Sequence, residues 1–413
     1  MTAIAISSPA SRMLGGILLI TGTTIGAGML ALPISTGIAG FYPSMLLFTL
    51  YWIYMTFTAF LFLEVNLWMG GHANIISMAK RTLGCWGQAA SWVVYLFLLY
   101  SLTAAYIAGG GPLFLEFIAM TTGINLPSWM GPIPLLIIFG YFIFKGTRSV
   151  DYLNRILMAG LGIALFLLIA FIFPHGDISM LSHRNWTLIA LGVSVVATSF
   201  GFHIVIPTLT TYLHRDVSQL RKVILIGSIV PYCIYVIWNF LALKIIPIEG
   251  SLGLLEGYKQ GASVAHILAT TLNNPWISMT AQCFTFFVIV TSFLGVSLSL
   301  MDFLADGLNI EKSSKGKGLL FVLTFLPPLL FTYANPRAFF SALEYAGAFG
   351  VILLLGILPI LMVWRGRYHH RLESTYEVAG GKPALIVAFA FSAMVIALEI
   401  ANQAGLLHVL LKD

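Results

Sequence analysis

The chain has 413 residues, of which 59% are hydrophobic and 9% are charged, and its formal net charge is +6. Ordinary soluble domains carry about 25% charged residues. This composition, with a mean hydropathy of +0.94, therefore excludes a soluble globular domain and predicts an all-α integral membrane protein. The cysteines are scattered without metal-ligand spacing, and we expect small buried thiols at Cys85, Cys233 and Cys283.

Eleven apolar stretches are candidates for membrane-spanning helices, which need about 17–25 residues each. In chain order they lie near residues 13–38, 42–69, 86–110, 131–145, 152–174, 186–212, 223–247, 276–304, 318–333, 338–364 and 384–407. Five helices followed by five more of opposite orientation predict an inverted repeat. The chain is then one transmembrane transporter domain, 1–413, with repeats at 12–174 and 186–364 and an additional helix at 384–407.

Lysine and arginine set the orientation, because in short loops they stay on the cytoplasmic side. With the N-terminus in the cytoplasm and the C-terminus outside, sixteen of them lie inside and five outside. The inside set is Arg12, Lys80, Arg81, Lys145, Arg148, Arg155, Arg215, Arg221, Lys222, Lys312, Lys315, Lys317, Arg365, Arg367, Arg371 and Lys382. The outside set is Arg184, Lys244, Lys259, Arg337 and Lys412. The positive charge is thus explained by topology in a cytoplasmic (inner) membrane, and we expect no nucleic-acid partner.

The first apolar stretch contains a segment that disfavours a continuous helix, TGTTIGAGMLALP at residues 21–33. Glycine raises the entropic cost of helix and proline removes a donor. Backbone groups freed in lipid cost several kcal/mol unless they line a protein cavity. The segment therefore predicts a broken first helix, although Gly22 and Gly26 also fit a helix-packing face.

The sixth apolar stretch repeats this pattern with TSFGFHIVIP at residues 198–207. The interval from Thr24 to Pro33 equals that from Thr198 to Pro207, and each interval contains glycine. Paired interruptions in corresponding positions of two halves indicate an inverted-repeat transporter with broken helices 1 and 6. Free N–H groups at such breaks suit a carboxylate, and free carbonyls suit an ammonium group.

The substrate site of an amino acid transporter is accordingly predicted at the two breaks, with the Tyr106 hydroxyl within reach. Phe200 and Phe202 either form a wall for an aromatic side chain or pack in the interior, and Tyr106 is either a site residue or a packing residue. The predicted substrate-binding residues are Thr23, Thr24, Ile25, Gly26, Ala27, Gly28, Tyr106, Thr198, Ser199, Phe200, Gly201, Phe202 and His203.

Ion coupling has two groups of candidates. For protons they are His203, which titrates near neutral pH or stays a neutral contact, and Glu64, a carboxylate inside the second span. For sodium they are the hydroxyls of Thr291 and Ser292 with the carbonyls near Gly22 and Ile25. The alternative for these hydroxyls is a bond back to a carbonyl one turn earlier.

Other carboxylates lie nearer to the ends of the predicted spans. Asp302 and Glu344 are expected to be hydrated charges at helix ends, whereas Glu399 lies in the eleventh stretch.

Several motifs in the chain resemble the bacterial hydroxy and aromatic amino acid permeases, a family in the amino acid/polyamine/organocation superfamily. They are TTIGAGMLALP at 23–33, LTAAYI at 102–107, TSFGFH at 198–203, TSFLGV at 291–296, FLPPL at 325–329 and GGKPA at 380–384. The resemblance covers nearly the whole chain in order. It is strongest to the tyrosine-specific permeases, weaker to the tryptophan permeases and weakest to the serine/threonine branch.

The resemblance implies a leucine-transporter-like fold with eleven helices and the import of an aromatic amino acid, tyrosine first, by proton symport. It also implies that the substrate lies against the two breaks. Ile204 departs from the family pattern, which has a small residue near this position, and its bulk keeps the choice among tyrosine, tryptophan and phenylalanine open.

The expected protein is not an enzyme, needs no cofactor beyond its coupling ion, and works as a monomer in contact with membrane lipid. Two alternatives keep the fold: a sodium-coupled aromatic symporter and a serine/threonine permease. A channel would not accumulate its substrate. A membrane-embedded enzyme would show a cluster of acidic metal ligands, which the sequence lacks.

Overall fold

The computed structural model describes residues 9–70, 73–311, 313–373 and 375–407, and within these ranges all regular structure is helical. Lys312 and Lys412, two residues of the predicted charge distribution, lie outside the described residues. The α-helices of the described part are α1 Pro9–Thr24, α2 Gly28–Gly37, α3 Phe41–Trp68, α4 Ile75–Thr122, α5 Pro132–Lys145, α6 Thr147–Ile172, α7 Val193–Ser199, α8 Ile206–Tyr212, α9 Val217–Leu243, α10 Leu254–Gln260, α11 Val264–Leu272, α12 Pro275–Gly307, α13 Ser314–Ala334, α14 Ala338–Tyr345, α15 Leu358–Tyr368 and α16 Gly381–Gln403.

The number of spans agrees with the sequence prediction. The described residues contain 10 helical stretches that are long and apolar enough to cross a membrane, or up to 11 if the bent pair α1–α2 forms one span. The two parts of that pair meet at 57°. The largest difference from the predicted bounds is α4, which begins before residue 86 because a short helix is joined to it at Gly84, a residue with non-helical φ and ψ.

Burial separates the interior helices from those at the periphery. The most buried spans are Trp186–Tyr212, which includes α7 and α8, and Ala338–Tyr368, which includes α14 and α15. Between α14 and α15 the chain forms a π-helical segment, Ala346–Ile357. By contrast α6, α13 and α16 expose most of their apolar surface, as helices that face lipid do. The interrupted span therefore lies at the centre of the helical bundle.

Two sequence predictions about burial are wrong. Cys85, Cys233 and Cys283 are exposed, because each lies on a helix face that is turned away from the protein interior. Glu344 is not a hydrated charge at a helix end, since only 2% of it is exposed. The helix that carries it lies against α4, α7 and α13, so the packing of neighbouring helices removes it from solvent.

Two ends of the bundle can be distinguished. One, here called the α10–α11 face, carries those two short helices between α9 and α12. The other, here called the opposite face, carries the loop between α15 and α16. The helices interrupted near residues 25 and 200 run between these faces.

Candidate functional site

The first interruption separates α1 from α2. The last backbone bond of α1 runs from the Ile25 N–H to the Thr21 carbonyl at 3.0 Å. Among the described residues, no acceptor is found for the N–H groups of Gly26, Ala27 and Gly28, which lead into α2. Unpaired N–H groups at a helix N-terminus attract anions. The break therefore offers its main chain as a binding surface.

The hydroxyl groups beside the first interruption are already used as donors. Thr23 Oγ1 donates to the Leu19 carbonyl and Thr24 Oγ1 to the Ile20 carbonyl, both at 2.7 Å. These bonds to the preceding turn are common for threonine in helices. Hence the contribution of Thr23 and Thr24 to the site comes chiefly from their backbone.

The second interruption follows α7 and is built from aromatic residues. Phe200 and Phe202 lie outside the helices, and a short 3-10 turn, His203–Val205, leads into α8. Both phenylalanines are 1% exposed. The Phe200 ring packs edge-to-face on Tyr235, with ring centroids 5.3 Å apart. These two side chains thus fill the interior beside the break.

The two interruptions touch each other directly. A Cβ atom on Gly28 would clash with Ser199 Oγ and lie 3.2 Å from the Ser199 Cα atom. Only glycine, which has no Cβ atom, permits this approach of two backbones. Gly28, at the start of α2, and Ser199, at the end of α7, therefore join the two breaks.

The Tyr235 hydroxyl of α9 lies where the carboxyl ends of α1 and α7 converge. It is 2.7 Å from the Thr24 carbonyl and 3.0 Å from the Ser199 carbonyl, and Tyr235 is fully buried. A hydroxyl group has one hydrogen and can donate it to one carbonyl at a time. The helix dipoles make both ends negative, so this point retains acceptor capacity for a cation or an ammonium group.

Two further hydroxyl groups come from α4 and α12. The Tyr106 side chain interacts with the side chain of Ser292. Ser292 Oγ also lies next to the first interruption, 3.3 Å from the position that a Cβ atom on Gly26 would occupy. The structure therefore brings Tyr106 and Ser292 together with Gly26, as an extension of the cluster around Tyr235.

Other residues in the predicted set point elsewhere. Gly22 faces Met158 of α6, and Thr291 Oγ1 donates back to the Phe287 carbonyl at 2.7 Å. Gly201 is in ordinary contact distance of Val351 and Leu355 in the π-helical segment, and the Thr198 hydroxyl bonds to the Leu343 carbonyl. These residues support the two breaks from outside the cluster.

His203 is fully buried behind the second interruption. Its Nε2 atom lies 2.9 Å from the Thr58 hydroxyl, and its ring packs edge-to-face on Phe62 with centroids 6.1 Å apart. The Nδ1 atom has no hydrogen-bond partner among the described residues. The next residue, Ile204, is 42% exposed and lines a cavity on the opposite face rather than the cluster around Tyr235.

Glu64 forms a buried ion pair. Its Oε1 atom accepts from Arg367 Nε at 2.7 Å, and its Oε2 atom accepts from Arg367 Nη2 at 2.5 Å and from the Val378 N–H at 2.8 Å. Arg367 lies in the last turn of α15, and Val378 lies in the loop that follows it. The ion pair therefore links α3 to α15 and to this loop at the opposite face. Every partner donates a hydrogen bond to the carboxylate, so the group is fully satisfied in the interior.

Two cavities approach the centre from opposite faces. A cavity of about 770 Å³ opens near α11 and reaches Gly109, Ile289 and Phe339, one helical turn from Tyr106 and Ser292. A second cavity of about 620 Å³ is lined by Phe62, Ile204 and parts of α8 on the opposite face. The two cavities share no lining residue, and the second one is lined in part by the interrupted span itself.

A polar cluster at two interrupted helices, approached by a cavity from each face, is the arrangement of a multi-pass membrane transport protein. The chain belongs to the tryptophan/tyrosine permease family, whose model matches residues 10–399. This confirms the resemblance found in the sequence motifs. The members of this family that the chain matches are transporters and not enzymes.

Three relatives from Haemophilus influenzae illustrate the match. The chain is 33% identical to tyrosine-specific transport system 1 over 401 residues, covering 96% of this chain and 98% of the relative. It is 30% identical to tyrosine-specific transport system 2, covering 97% of this chain and 98% of the relative. It is also 30% identical to a tryptophan-specific transport protein, again covering 97% and 98%.

Sequence reasoning did not identify Tyr235 or Arg367 as residues of interest. It also did not predict that the span Ala338–Tyr368 is among the most buried. Tyr235 is one of 16 tyrosines, and nothing in its neighbours along the chain marks it. In the sequence, Arg367 contributes only to the positive charge of a predicted cytoplasmic loop. An intramembrane carboxylate such as Glu64 needs a partner, however, and Arg367 is that partner. That requirement is the one signal that would have directed attention to a buried arginine.

Proposed function

We propose that this protein is a secondary active symporter that imports an aromatic amino acid, tyrosine first, with protons across a bacterial cytoplasmic membrane. The observation that carries the proposal is the convergence of the two breaks on Tyr235. The family and the names of the relatives support an amino acid with an aromatic side chain as substrate.

The geometry supports a definite orientation of the substrate. Its carboxylate binds the N–H groups of Gly26, Ala27 and Gly28, which have no acceptor in the described structure. Its ammonium group binds the Thr24 and Ser199 carbonyls beside Tyr235. The aromatic ring then extends past Tyr106 and Ser292 into the cavity of about 770 Å³ near α11.

Tyrosine is favoured over tryptophan because the chain is 33% identical to a tyrosine-specific relative and 30% identical to the tryptophan-specific one. The two relatives described as tyrosine-specific match nearly their whole length, at 33% and 30% identity. Ile204, the departure from the family pattern, lies in the cavity on the opposite face, so its bulk leaves the space proposed for the aromatic ring unchanged and does not discriminate between the two substrates.

The proposed mechanism is alternating access in a leucine-transporter-like fold. Residues 12–174 and 186–364 form the inverted repeats of a single domain, and the helix at 384–407 is additional. The N-terminus is cytoplasmic, the C-terminus is outside, and the α10–α11 face is periplasmic. The protein works as a monomer, and the substrate reaches the breaks through one cavity and leaves through the other.

Uptake into proteoliposomes tests the proposal. Labelled tyrosine is supplied with an inward proton gradient in one set and with an inward sodium gradient at equal pH in another. Unlabelled tryptophan, phenylalanine and serine are the competitors. We expect accumulation with the proton gradient alone and competition by the aromatic amino acids. Equilibration without accumulation under either gradient indicates a channel, and competition by serine alone places the chain in the serine/threonine branch.

Sodium coupling is the second candidate, and one contact favours it. Ser292 Oγ lies beside Gly26 at the first interruption, where a cation could also use backbone carbonyls. Thr291 does not add a free hydroxyl to such a site, since it donates to the Phe287 carbonyl. Accumulation that requires sodium and is lost in Ser292→Ala would establish this alternative.

A further inference from the structure

Two buried carboxylates, Glu344 of α14 and Glu399 of α16, belong to helices that both pack against α7. Each is 2% exposed. Glu399 Oε2 accepts a hydrogen bond from Ser194 Oγ of α7 at 2.6 Å, and its Oε1 atom accepts from Gln403 Nε2 at 2.6 Å. The eleventh predicted helix is therefore joined to the interrupted span by a carboxylate.

Glu344 is joined to the same helix through its neighbour in the chain. The carbonyl of its neighbour Leu343 accepts a hydrogen bond from Thr198 Oγ1 at 2.7 Å. Thr198 follows Ser194 by one helical turn and immediately precedes Ser199, the residue that meets Gly28. Movement of α7 relative to α14 and α16 would thus change the surroundings of both carboxylates and of the substrate site together.

Neither carboxylate has an ion-pair partner such as the one that Arg367 provides for Glu64. In the described part of the chain, no lysine or arginine forms an ion pair with Glu344 or Glu399. Glu344 Oε1 has the Tyr258 hydroxyl at 3.4 Å as its polar neighbour. The guanidinium of Arg337, the nearby cation, lies over the Tyr258 ring at 4.5 Å instead of against a carboxylate.

The remaining titratable groups that face the pair are all phenols. Burial raises the pKa of Tyr258 in α10, so this residue stays neutral and remains a donor. The groups that interact electrostatically with Glu344 or Glu399 are Tyr51, Tyr258, Arg337 and Tyr345. The two carboxylates therefore share one nearby cation, Arg337, which forms an ion pair with neither of them in the described structure.

Two like charges in a low-dielectric interior strongly disfavour joint ionisation, and a proton relieves the repulsion. We propose that Glu344 and Glu399 together form the proton-binding site of this transporter. Resting on the proposed symport, the inference names the group that carries the ion. A hydronium ion arriving from the α10–α11 face gives one proton to a carboxylate oxygen and leaves as water.

Binding and release of this proton control the position of α7. With the proton bound, α14 and α16 both stay against α7, and Thr198 and Ser199 keep their places at the breaks. Loss of the proton leaves two charges that repel each other beside α7. The occupancy of the substrate site and the protonation of the pair are coupled through one short helix.

The test uses the full chain in proteoliposomes and compares Glu344→Gln and Glu399→Gln with the control Glu249→Gln. Glu249 is exposed in the loop after α9 and has no place in either site. Two rates are measured: exchange of labelled for unlabelled tyrosine without a gradient, and accumulation driven by an inward proton gradient. Glutamine resembles the protonated acid, so we expect exchange within about threefold of wild type and at least tenfold weaker accumulation.

The outcomes separate this inference from the proposed function. Wild-type chain that shows no proton-driven accumulation overturns the proposed function, and the inference fails with it. Accumulation by the wild type and by both glutamine variants alike overturns the inference alone. Parallel loss of exchange and accumulation in monodisperse variants also overturns it, because the pair would then be structural.

A measurement on the wild type covers the case in which the variants do not fold. The infrared absorption of protonated carboxyl groups is recorded for the whole protein in vesicles across about pH 5 to 9, the range in which buried glutamates titrate. A carboxyl band that disappears within this range, and that shifts when tyrosine is added, supports the inference. Absence of such a band overturns it.

Discussion

The interruption between α1 and α2 and the one between α7 and α8 differ in the side chains that surround them. Both have consecutive N–H groups without acceptors in the described structure, Gly26 to Gly28 in the first and Gly201 and Phe202 in the second, but the first has the Ser292 hydroxyl beside it. The second is enclosed by Phe200, Phe202 and His203, each 1% exposed or less. Similar spacing along the chain therefore yields a polar break and an apolar one. In the proposed orientation of the substrate, most polar contacts come from the first break, and the second supplies a single carbonyl, that of Ser199.

The sharpest test of this difference is Gly28→Ala. The added Cβ atom would clash with Ser199 and force the two breaks apart. We expect tyrosine affinity to fall at least 100-fold in equilibrium binding to detergent-purified protein. Gly201→Ala is the matched control in the second break, since its Cβ atom would have only ordinary contacts at 3.4 Å. Equal loss in both variants would contradict the division between the breaks.

Tyr235→Phe should produce the next largest effect. It removes the hydroxyl that lies between the Thr24 and Ser199 carbonyls, and a hydrogen bond contributes about 0.5–1.5 kcal/mol. We expect tyrosine affinity to fall about tenfold in the same assay.

Tyr232→Phe controls for the loss of a phenol from α9, because the Tyr232 hydroxyl contacts Thr49 at 3.0 Å instead. Affinity that is unchanged in Tyr235→Phe would show that the Tyr235 hydroxyl does not contribute to binding of the ammonium group.

Ser292→Ala should reduce affinity by about three- to fivefold, because one hydroxyl is removed beside Gly26 while the backbone groups remain. Thr291→Val is its neighbour control, since that hydroxyl serves its own helix. The two variants are compared in binding titrations at fixed pH with and without sodium. A greater effect of Thr291→Val would reverse the roles assigned to these adjacent hydroxyls.

Thr58→Val should change binding least, by about twofold or less, while lowering stability. The substitution leaves Nε2 of the buried His203 without its partner at 2.9 Å, and an unsatisfied buried group costs about 1–3 kcal/mol. The thermal midpoint of the purified protein measures this loss. Thr324→Val is the control, because the Thr324 hydroxyl is also buried but bonds to its own helix. A large loss of affinity with normal stability would make His203 a substrate contact.

The breaks themselves could be predicted from the sequence because their cause is local. Gly26, Gly28 and Pro33 weaken a helix wherever the chain places them, and the apolar stretches on either side fix the membrane segment. The same locality explains why Ser199 was found as a member of the second break. The number of spans followed from length and hydropathy in the same way.

The partners across the bundle could not be predicted. Tyr235 reaches the Thr24 carbonyl across 211 positions in the chain, and Arg367 reaches Glu64 across 303. Such pairs depend on which helix faces meet, and amphipathic periodicity is weak in a chain whose interior and exterior are both apolar. For the same reason the exposure of Cys233 and the burial of Glu344 were assigned incorrectly.

The backbone conformation at Gly84 restricts which residues can replace it. Its φ of +79° and ψ of −162° suit glycine alone, although open space surrounds the position of its missing Cβ atom. Gly162 and Gly295 have equally open surroundings but lie in ordinary helix, where alanine is the better residue. Across descendants of a common ancestor, glycine should therefore persist at position 84 while drifting to alanine or serine at positions 162 and 295.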